Sequence, residues 1–128
     1  KAGSGQMRGF GPKDRAIFVH LYMQSGKCTP MAGQEPVAMG RGDRVVWEIK
    51  NSCDENKRVV FQNFKRSNGN SANPTTSSDL HRMVPANDQA VTLPVRIRAN
   101  AELDTYKYDI LVDDNDKQVL DPELEVEY

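Results

Sequence analysis

The 128-residue sequence lacks any apolar run near the roughly 18 residues that a membrane-spanning helix requires. Histidine and cysteine are scarce, with two of each, and neither shows the short paired spacing of structural zinc sites. A nucleophile-elbow sequence and a glycine-rich oxyanion turn are also missing. We therefore expect no membrane insertion, no catalytic residues and no bound cofactor.

Strong charge of one sign is missing as well, since the formal net charge is -1. Residues 1–66 nevertheless carry 12 basic and 6 acidic side chains, whereas residues 113–128 carry 1 basic and 7 acidic side chains. Such a separation can steer a charged partner, although ordinary solvated strand faces also produce it. Because the chain is not basic overall and shows no aromatic stacking platform, nucleic-acid binding is not favoured.

What the sequence does contain is apolar and polar residues in alternation, the pattern of strands with one buried face. The clearest example is residues 42–64, where alternation occurs on both sides of a polar stretch at residues 51–56. We interpret residues 42–64 as a hairpin and expect Trp47 at the centre of the core. Its expected neighbours are other inward-facing residues: Val45, Ile49, Val95, Ile97, Tyr108 and Ile110.

Further strands are predicted at residues 16–23, 35–39, 90–98, 104–112 and 119–126. The first has apolar residues on both faces, so it should lie centrally or be covered on both sides. Pro94 indicates an edge strand, because proline cannot donate a backbone hydrogen bond. About seven short strands predict an all-β fold, an antiparallel two-sheet sandwich of Greek-key type.

The glycine-rich segment 1–14 has no apolar periodicity and is expected to be flexible, which leaves residues 15–128 as one domain. Residues 24–34 are predicted to be a connection, and residues 65–85 a long loop with one helical turn at residues 78–83. We expect residues 67–78 to be the most mobile internal segment. Its polar side chains are candidates for contacting a partner: Asn68, Asn70, Asn73, Thr75 and Thr76.

Cys28 and Cys53 are expected to form one disulfide, since an even cysteine count at this separation suits a small exported domain. The alternative is two unrelated buried thiols in a cytosolic protein. With the disulfide, the protein is expected to be periplasmic or extracellular, after removal of a signal peptide.

Two local clusters contain residue types used in catalysis or metal binding. Ser78, Asp79 and His81 supply the types of a catalytic triad, but side chains so close in one loop rarely hold triad geometry. The acidic residues 113–116 resemble part of a calcium loop, but Val119 stands where the sharp turn needs glycine. Solvated loops are the preferred interpretation of both clusters.

Two stretches resemble motifs of the cupredoxins, the plastocyanin and azurin class of sandwiches. They are GDRVVWEIKNSCDENKRVVF at residues 42–61 and TYKYDI at residues 105–110. The resemblance implies a cupredoxin-like fold over about residues 16–126, and it supports topology more strongly than function.

The resembling family has copper ligands at positions that differ in this chain. A histidine follows the family's tryptophan strand, where this chain has Lys57 and Arg58, and a cysteine ligand stands at the place of Ile110. The family also has a later histidine and often a methionine, but neither type occurs after Met83. Because blue copper needs a thiolate and two imidazoles, the resemblance implies the scaffold without its metal.

These observations favour a non-enzymatic protein-binding or structural module with an unidentified protein partner. A metal protein with a different ligand set is one alternative, with His20 and His81 joined by methionines such as Met31 or Met83. A small enzyme with an unrecognised pocket is another.

Overall fold

The computed structural model describes residues 12–33, 36–113 and 122–128, and within these ranges the chain forms nine strands. They are β1 (Asp14–Gln24), β2 (Lys27–Ala32), β3 (Val37–Met39), β4 (Arg44–Asn51), β5 (Lys57–Lys65), β6 (Leu80–Val84), β7 (Val91–Arg96), β8 (Asp104–Val112) and β9 (Glu123–Val126). The described ranges contain no helix long and apolar enough to cross a membrane. The all-β fold class is confirmed, whereas most of the segment predicted to be flexible, residues 1–11, lies outside the described residues.

The strands form two sheets, one in the order β2-β1-β4-β7 and the other in the order β3-β9-β8-β5-β6. The predicted two-sheet sandwich is confirmed, and β7, which carries Pro94, is an edge strand as expected. The sheets are mixed rather than purely antiparallel, because β1 runs parallel to β4 and β3 runs parallel to β9. Parallel neighbours cannot be joined by a tight hairpin turn, so these strands are paired across longer connections. Greek-key connectivity stays a prediction.

The predicted hairpin of residues 42–64 is wrong. β4 pairs with β1 and β7 in the four-stranded sheet, whereas β5 pairs with β6 and β8 in the five-stranded sheet. The connection between them crosses the roughly 10 Å that separates facing sheets. Asn51 holds this crossing: its side-chain amide donates to the carbonyls of Glu55 and Val84, and its side-chain oxygen accepts from the Cys53 amide.

Two strands lie in stretches that were predicted to be irregular. β2 lies within residues 24–34, and its buried residues include Cys28 and Pro30, of which proline in particular suggests a turn. β6 replaces the helical turn predicted at residues 78–83, and only its two end residues are buried. An edge strand with three exposed residues in its middle shows no alternation, so the sequence pattern does not reveal it.

Trp47 lies in the core between the sheets, with 0% of its surface exposed, as predicted. Its ring stacks on Phe61 at a centroid distance of 4.3 Å, and its Nε1 donates a hydrogen bond to the Tyr108 hydroxyl at 3.2 Å. Burial raises the pKa of Tyr108 to about 12. The other predicted neighbours belong to the same core: Val45, Ile49, Val95, Ile97 and Ile110.

Cys28 and Cys53 form a disulfide, as predicted, with Cα atoms 5.9 Å apart. The bond joins β2 to the connection that follows β4, and β1 lies between these two strands in the sheet. Closing a loop of this size in the unfolded chain contributes about 3 kcal/mol in the chain-entropy description.

Candidate functional site on the outer face of the four-stranded sheet

β1 carries apolar side chains on both of its faces. Ile17, Val19 and Leu21 are buried at alternate positions, so Phe18 and His20 lie on the outer face of the sheet. Phe18 is 68% exposed. β1 lies centrally between β2 and β4, as predicted, but only its inner face is covered within the described residues.

A groove of about 440 Å³ opens on this outer face, and it is referred to below as the outer groove. Strand register brings together the side chains that line it. His20 lies opposite Met31 of β2 and Lys50 of β4, and Phe18 lies opposite Glu48 of β4. Because Met31 is 46% exposed, the groove presents two large apolar side chains beside an imidazole and two charged groups.

His20 is held by a hydrogen-bonded relay at one end of the outer groove. Its Nε2 lies 2.7 Å from Ser52 Oγ, and Ser52 Oγ donates to Asp88 Oδ1 at 2.9 Å. The carboxylate can only accept, so the single hydroxyl proton of Ser52 is used on Asp88. His20 Nε2 is therefore the donor to Ser52.

This relay contains the residue types of a catalytic triad in the wrong order. In a triad the imidazole accepts the serine proton and the acid binds the other imidazole nitrogen. Here Ser52 lies between the imidazole and the acid, and its proton points to Asp88 rather than to His20. The arrangement positions His20 but does not activate Ser52 as a nucleophile.

The outer face of this sheet carries more positive than negative charge. Its outward positions on the four strands hold the cations Lys27, Arg44, Lys50 and Arg96 and the anions Asp14 and Glu48. Arg44 donates to both carboxylate oxygens of Asp14, at 2.9 and 2.7 Å, and these hydrogen bonds lower the pKa of Asp14. The remaining charges on this face are Lys27, Lys50 and Arg96 against Glu48, and of these Lys50 and Glu48 line the outer groove.

The structure separates the two histidines that were considered as joint metal ligands. His20 lies on the outer face of the four-stranded sheet, whereas His81 lies on β6 of the other sheet and is also exposed. Outward-facing residues of opposed sheets cannot share one ion, because the whole sandwich lies between them. The pairing of His20 with His81 is therefore wrong.

The cluster of Ser78, Asp79 and His81 does not form a triad. His81 Nδ1 lies 2.9 Å from Asp79 Oδ1, and both side chains are exposed. Within the described residues Ser78 makes no hydrogen bond to either of them. The expectation that this cluster is not catalytic stays a prediction.

Part of the loop predicted to contact a partner is folded into the protein. Thr75 is 0% exposed, and the side-chain amide of Asn73 donates to the Ser77 carbonyl at 2.8 Å. Thr75 cannot reach a partner, contrary to the sequence-based expectation, because it is buried, and the half-buried Asn73 has its side chain engaged in internal hydrogen bonds. The exposed members of the set, Asn68, Asn70 and Thr76, remain candidates.

An ion pair occupies the corner where the resembling family has its first copper ligand. Lys57 Nζ lies 3.1 Å from Asp113 Oδ2, and this contact raises the pKa of Lys57. The Arg58 backbone amide donates to Asp113 Oδ1 at 2.9 Å, which lowers the pKa of Asp113. Ile110, at the place of the family's cysteine, is fully buried.

Residues 12–33, 36–113 and 122–128 contain no group of three or more histidine, cysteine, aspartate or glutamate side chains arranged to hold a metal ion. The calcium interpretation of residues 113–116 depends on residues 114–116, which lie outside the described residues.

No protein-family model and no curated protein matches this sequence. Among solved structures, the chain is similar to the blue copper oxidase from Nitrosomonas europaea, with a TM-score of 0.47 and 8% sequence identity over 98% of this chain. It is also similar to Lac15 from a marine microbial metagenome, with a TM-score of 0.39 and 15% identity over 91% of this chain. The matches cover 47% and 32% of those two chains, so this chain spans less than half of either.

Proposed function

We propose that this chain is a non-enzymatic protein-binding module and that it holds its partner in the outer groove. The observation that carries the proposal is the 68% exposure of Phe18 in the middle of a sheet face, beside the exposed Met31. Exposed apolar side chains that cluster in a groove mark interaction sites, and aromatic anchors supply a large share of the binding free energy.

The occupant is a segment of another protein with an apolar anchor and acidic flanks. The anchor packs against Phe18 and Met31. This contact removes apolar surface of both the anchor and the groove from water, which is favourable. The flanks meet the excess cations Lys50 and Arg96, which lie on β4 and β7 of the same outer face. Complementary charge of this kind fixes the register of binding and accelerates association.

An enzymatic role has less support than binding. In the group formed by Ser52, His20 and Asp88, the Ser52 proton is directed to Asp88, so the histidine does not activate Ser52. The other such group, around His81, is exposed and includes no nucleophile bonded to the histidine. A binding function requires neither group to do chemistry.

We further propose a cupredoxin-like module without a blue copper centre. The two cupredoxin-like motifs contain β4, the first part of β5 and most of β8. The Lys57–Asp113 ion pair and the buried Ile110 nevertheless stand where the resembling family has ligands. An ammonium group at that corner repels a metal cation. Cu(II) added to the protein is expected to give no intense thiolate-to-copper absorption.

The Cys28–Cys53 disulfide supports a periplasmic or extracellular location, because such bonds persist in oxidising compartments. The partner is therefore expected to be another exported protein or the outer part of a membrane protein.

Selection of peptides from a random displayed library on the oxidised protein tests the binding proposal. We expect enriched peptides to share one aromatic or large aliphatic residue flanked by aspartate or glutamate. Replacing Phe18 with serine should weaken the binding of a selected synthetic peptide about 30-fold. This factor corresponds to the roughly 2 kcal/mol that an interface hot spot contributes.

Leu103→Ser is the matched control, because Leu103 is 47% exposed and lies outside the outer groove. It should leave the affinity unchanged. Lys50→Glu should weaken binding of the acidic peptides and reduce its sensitivity to salt. Three results would contradict the proposal. The selection could enrich basic peptides, it could enrich peptides that bind the Phe18→Ser variant as well as the unmodified protein, or it could enrich no sequence at all.

A further inference from the structure

We propose that His20 and Met31 form a binding site for Cu(I) in the outer groove. The two residues are direct partners in the pairing of β1 with β2, and both line the groove. Directly opposed residues on paired strands have Cβ atoms about 4.5–5.5 Å apart. Imidazole nitrogen and sulphur ligands bind metals at about 2.0–2.3 Å, so one ion can bridge side chains separated in this way.

The hydrogen bonds of His20 determine which of its nitrogens is available to a metal. Because Ser52 Oγ donates to Asp88 at 2.9 Å, the proton in the 2.7 Å contact with His20 belongs to Nε2. A neutral imidazole protonated on Nε2 carries its lone pair on Nδ1. Ser52 follows β4, whereas Met31 lies on β2, on the other side of β1. Nδ1 is the ring nitrogen that does not contact Ser52.

This arrangement has the features of a histidine that binds a metal. Metal-binding histidines usually donate their second nitrogen to an oriented acceptor, which fixes the tautomer and the direction of the ring. Ser52 is that acceptor here, and Asp88 in turn fixes the orientation of the Ser52 hydroxyl. Ser52 and Asp88 are thus positioning residues for the site.

The available ligands indicate a soft, monovalent ion. A thioether is a soft donor that favours Cu(I), whereas harder divalent ions prefer sites with several carboxylates or imidazoles. Lys50, opposite His20 on β4, adds a positive charge that opposes any cation and opposes a divalent ion twice as strongly. Glu48 also lines the groove and supplies a partly compensating negative charge.

The site is separate from the position at which the resembling family binds copper, because that corner lies on β5 and β8 of the other sheet. Met31 belongs to both proposals, but Phe18 is not a ligand, so Phe18→Ser distinguishes them: it should weaken peptide binding and leave Cu(I) binding unchanged. His81 and Met83, two residues apart on β6, provide an internal control. Their Cα atoms are roughly 6.6 Å apart along the strand, so they are less well placed to share an ion than cross-strand partners.

Competition with the chromogenic chelator bicinchoninate under anaerobic conditions, with the disulfide intact, tests the proposal. The unmodified protein should withdraw one equivalent of Cu(I) from the chelator. His20→Ala should abolish this withdrawal, and Met31→Leu should weaken it at least tenfold. The double variant His81→Ala/Met83→Leu should behave as the unmodified protein does.

The role of the relay is tested with Ser52. Ser52→Ala should weaken Cu(I) binding about 10- to 100-fold, as is usual for a residue that orients a ligand. Ser52→Thr, which keeps the hydroxyl, should restore it. Nitrogen-15 spectra of the histidine should show Nε2 protonated before Cu(I) is added and the Nδ1 resonance moving afterwards.

Three results would overturn the proposal: no withdrawal of Cu(I), withdrawal that survives His20→Ala, or withdrawal that follows His81 and Met83 instead. All variants are first compared by their urea unfolding midpoints. Because His20 and Met31 are both exposed, their replacement should leave the urea midpoint unchanged.

Discussion

Replacing Trp47 with alanine is expected to lower the free energy of unfolding by about 3 to 5 kcal/mol. The indole is 0% exposed, so its entire apolar surface contributes to the loss. The stacking on Phe61 at 4.3 Å disappears, and the Tyr108 hydroxyl loses the donor that lies 3.2 Å away. The cavity left behind has walls from both sheets and cannot close by the movement of one strand.

Urea unfolding followed by far-ultraviolet circular dichroism measures this change. Fluorescence cannot be used, because Trp47 is the single tryptophan of the chain. Phe18→Ala is the matched control: it also removes an aromatic ring, but from a side chain that is 68% exposed, so the loss should be within about 0.5 kcal/mol. Equal losses in the two variants would show that the assignment of inner and outer faces is incorrect.

The hydrogen bond between Trp47 and Tyr108 can be isolated by a double-mutant cycle with Trp47→Phe and Tyr108→Phe. Each single variant leaves one buried polar atom without its partner, whereas the double variant leaves none. We expect a coupling energy of about 0.5 to 1.5 kcal/mol. Strictly additive losses would refute the contact.

Reduction of the Cys28–Cys53 disulfide should lower the free energy of unfolding by about 3 kcal/mol, and thiol counting on the denatured oxidised protein should find no free cysteine. Tyr108 has a folded pKa of about 12 against an ordinary value of 10.0, so its contribution to stability is complete below pH 10. That contribution should be lost between pH 10 and pH 12, and Tyr108→Phe should remove this part of the pH dependence. The amides of Ala72 and Thr76 donate to backbone carbonyls and should exchange more slowly than the amide of Asn68. Equally fast exchange of all three amides would mean that residues 67–78 form one mobile loop.

The inward faces of β4, β7 and β8 could be predicted from the sequence, because every buried residue contributes to the alternation of its own strand. The pairing of strands could not be predicted in the same way. β4 and β5 show the same alternation whether they pair with each other or face each other across the core. One contact made at the crossing is that of Asn51, whose side-chain amide donates to the carbonyl of Val84 in a strand that the pattern does not reveal.

The candidate site was predictable only in part. Both histidines and two methionines were considered as ligands, but the sequence contains no information on which pairs meet. Strand register brings His20 together with Met31 and separates the two histidines. Ser52 and Asp88 gave no local signal, because they lie in two different connections and approach His20 only in the folded chain.

Phe18 connects the sequence pattern to the proposed function. Apolar residues on both faces of β1 predict a strand that lies centrally or is covered on both sides; β1 lies centrally, yet within the described residues only its inner face is covered. Full burial of such a side chain is worth about 1.5–3 kcal/mol, which the exposed ring does not contribute to folding. The sheet itself does not require an apolar residue at position 18. The residue paired with Phe18 on β4 is Glu48, and the residue paired with Glu48 on β7 is Thr92. The proposed partner would therefore account for an aromatic side chain at this position, and the excess of cations on this sheet face favours an acidic partner.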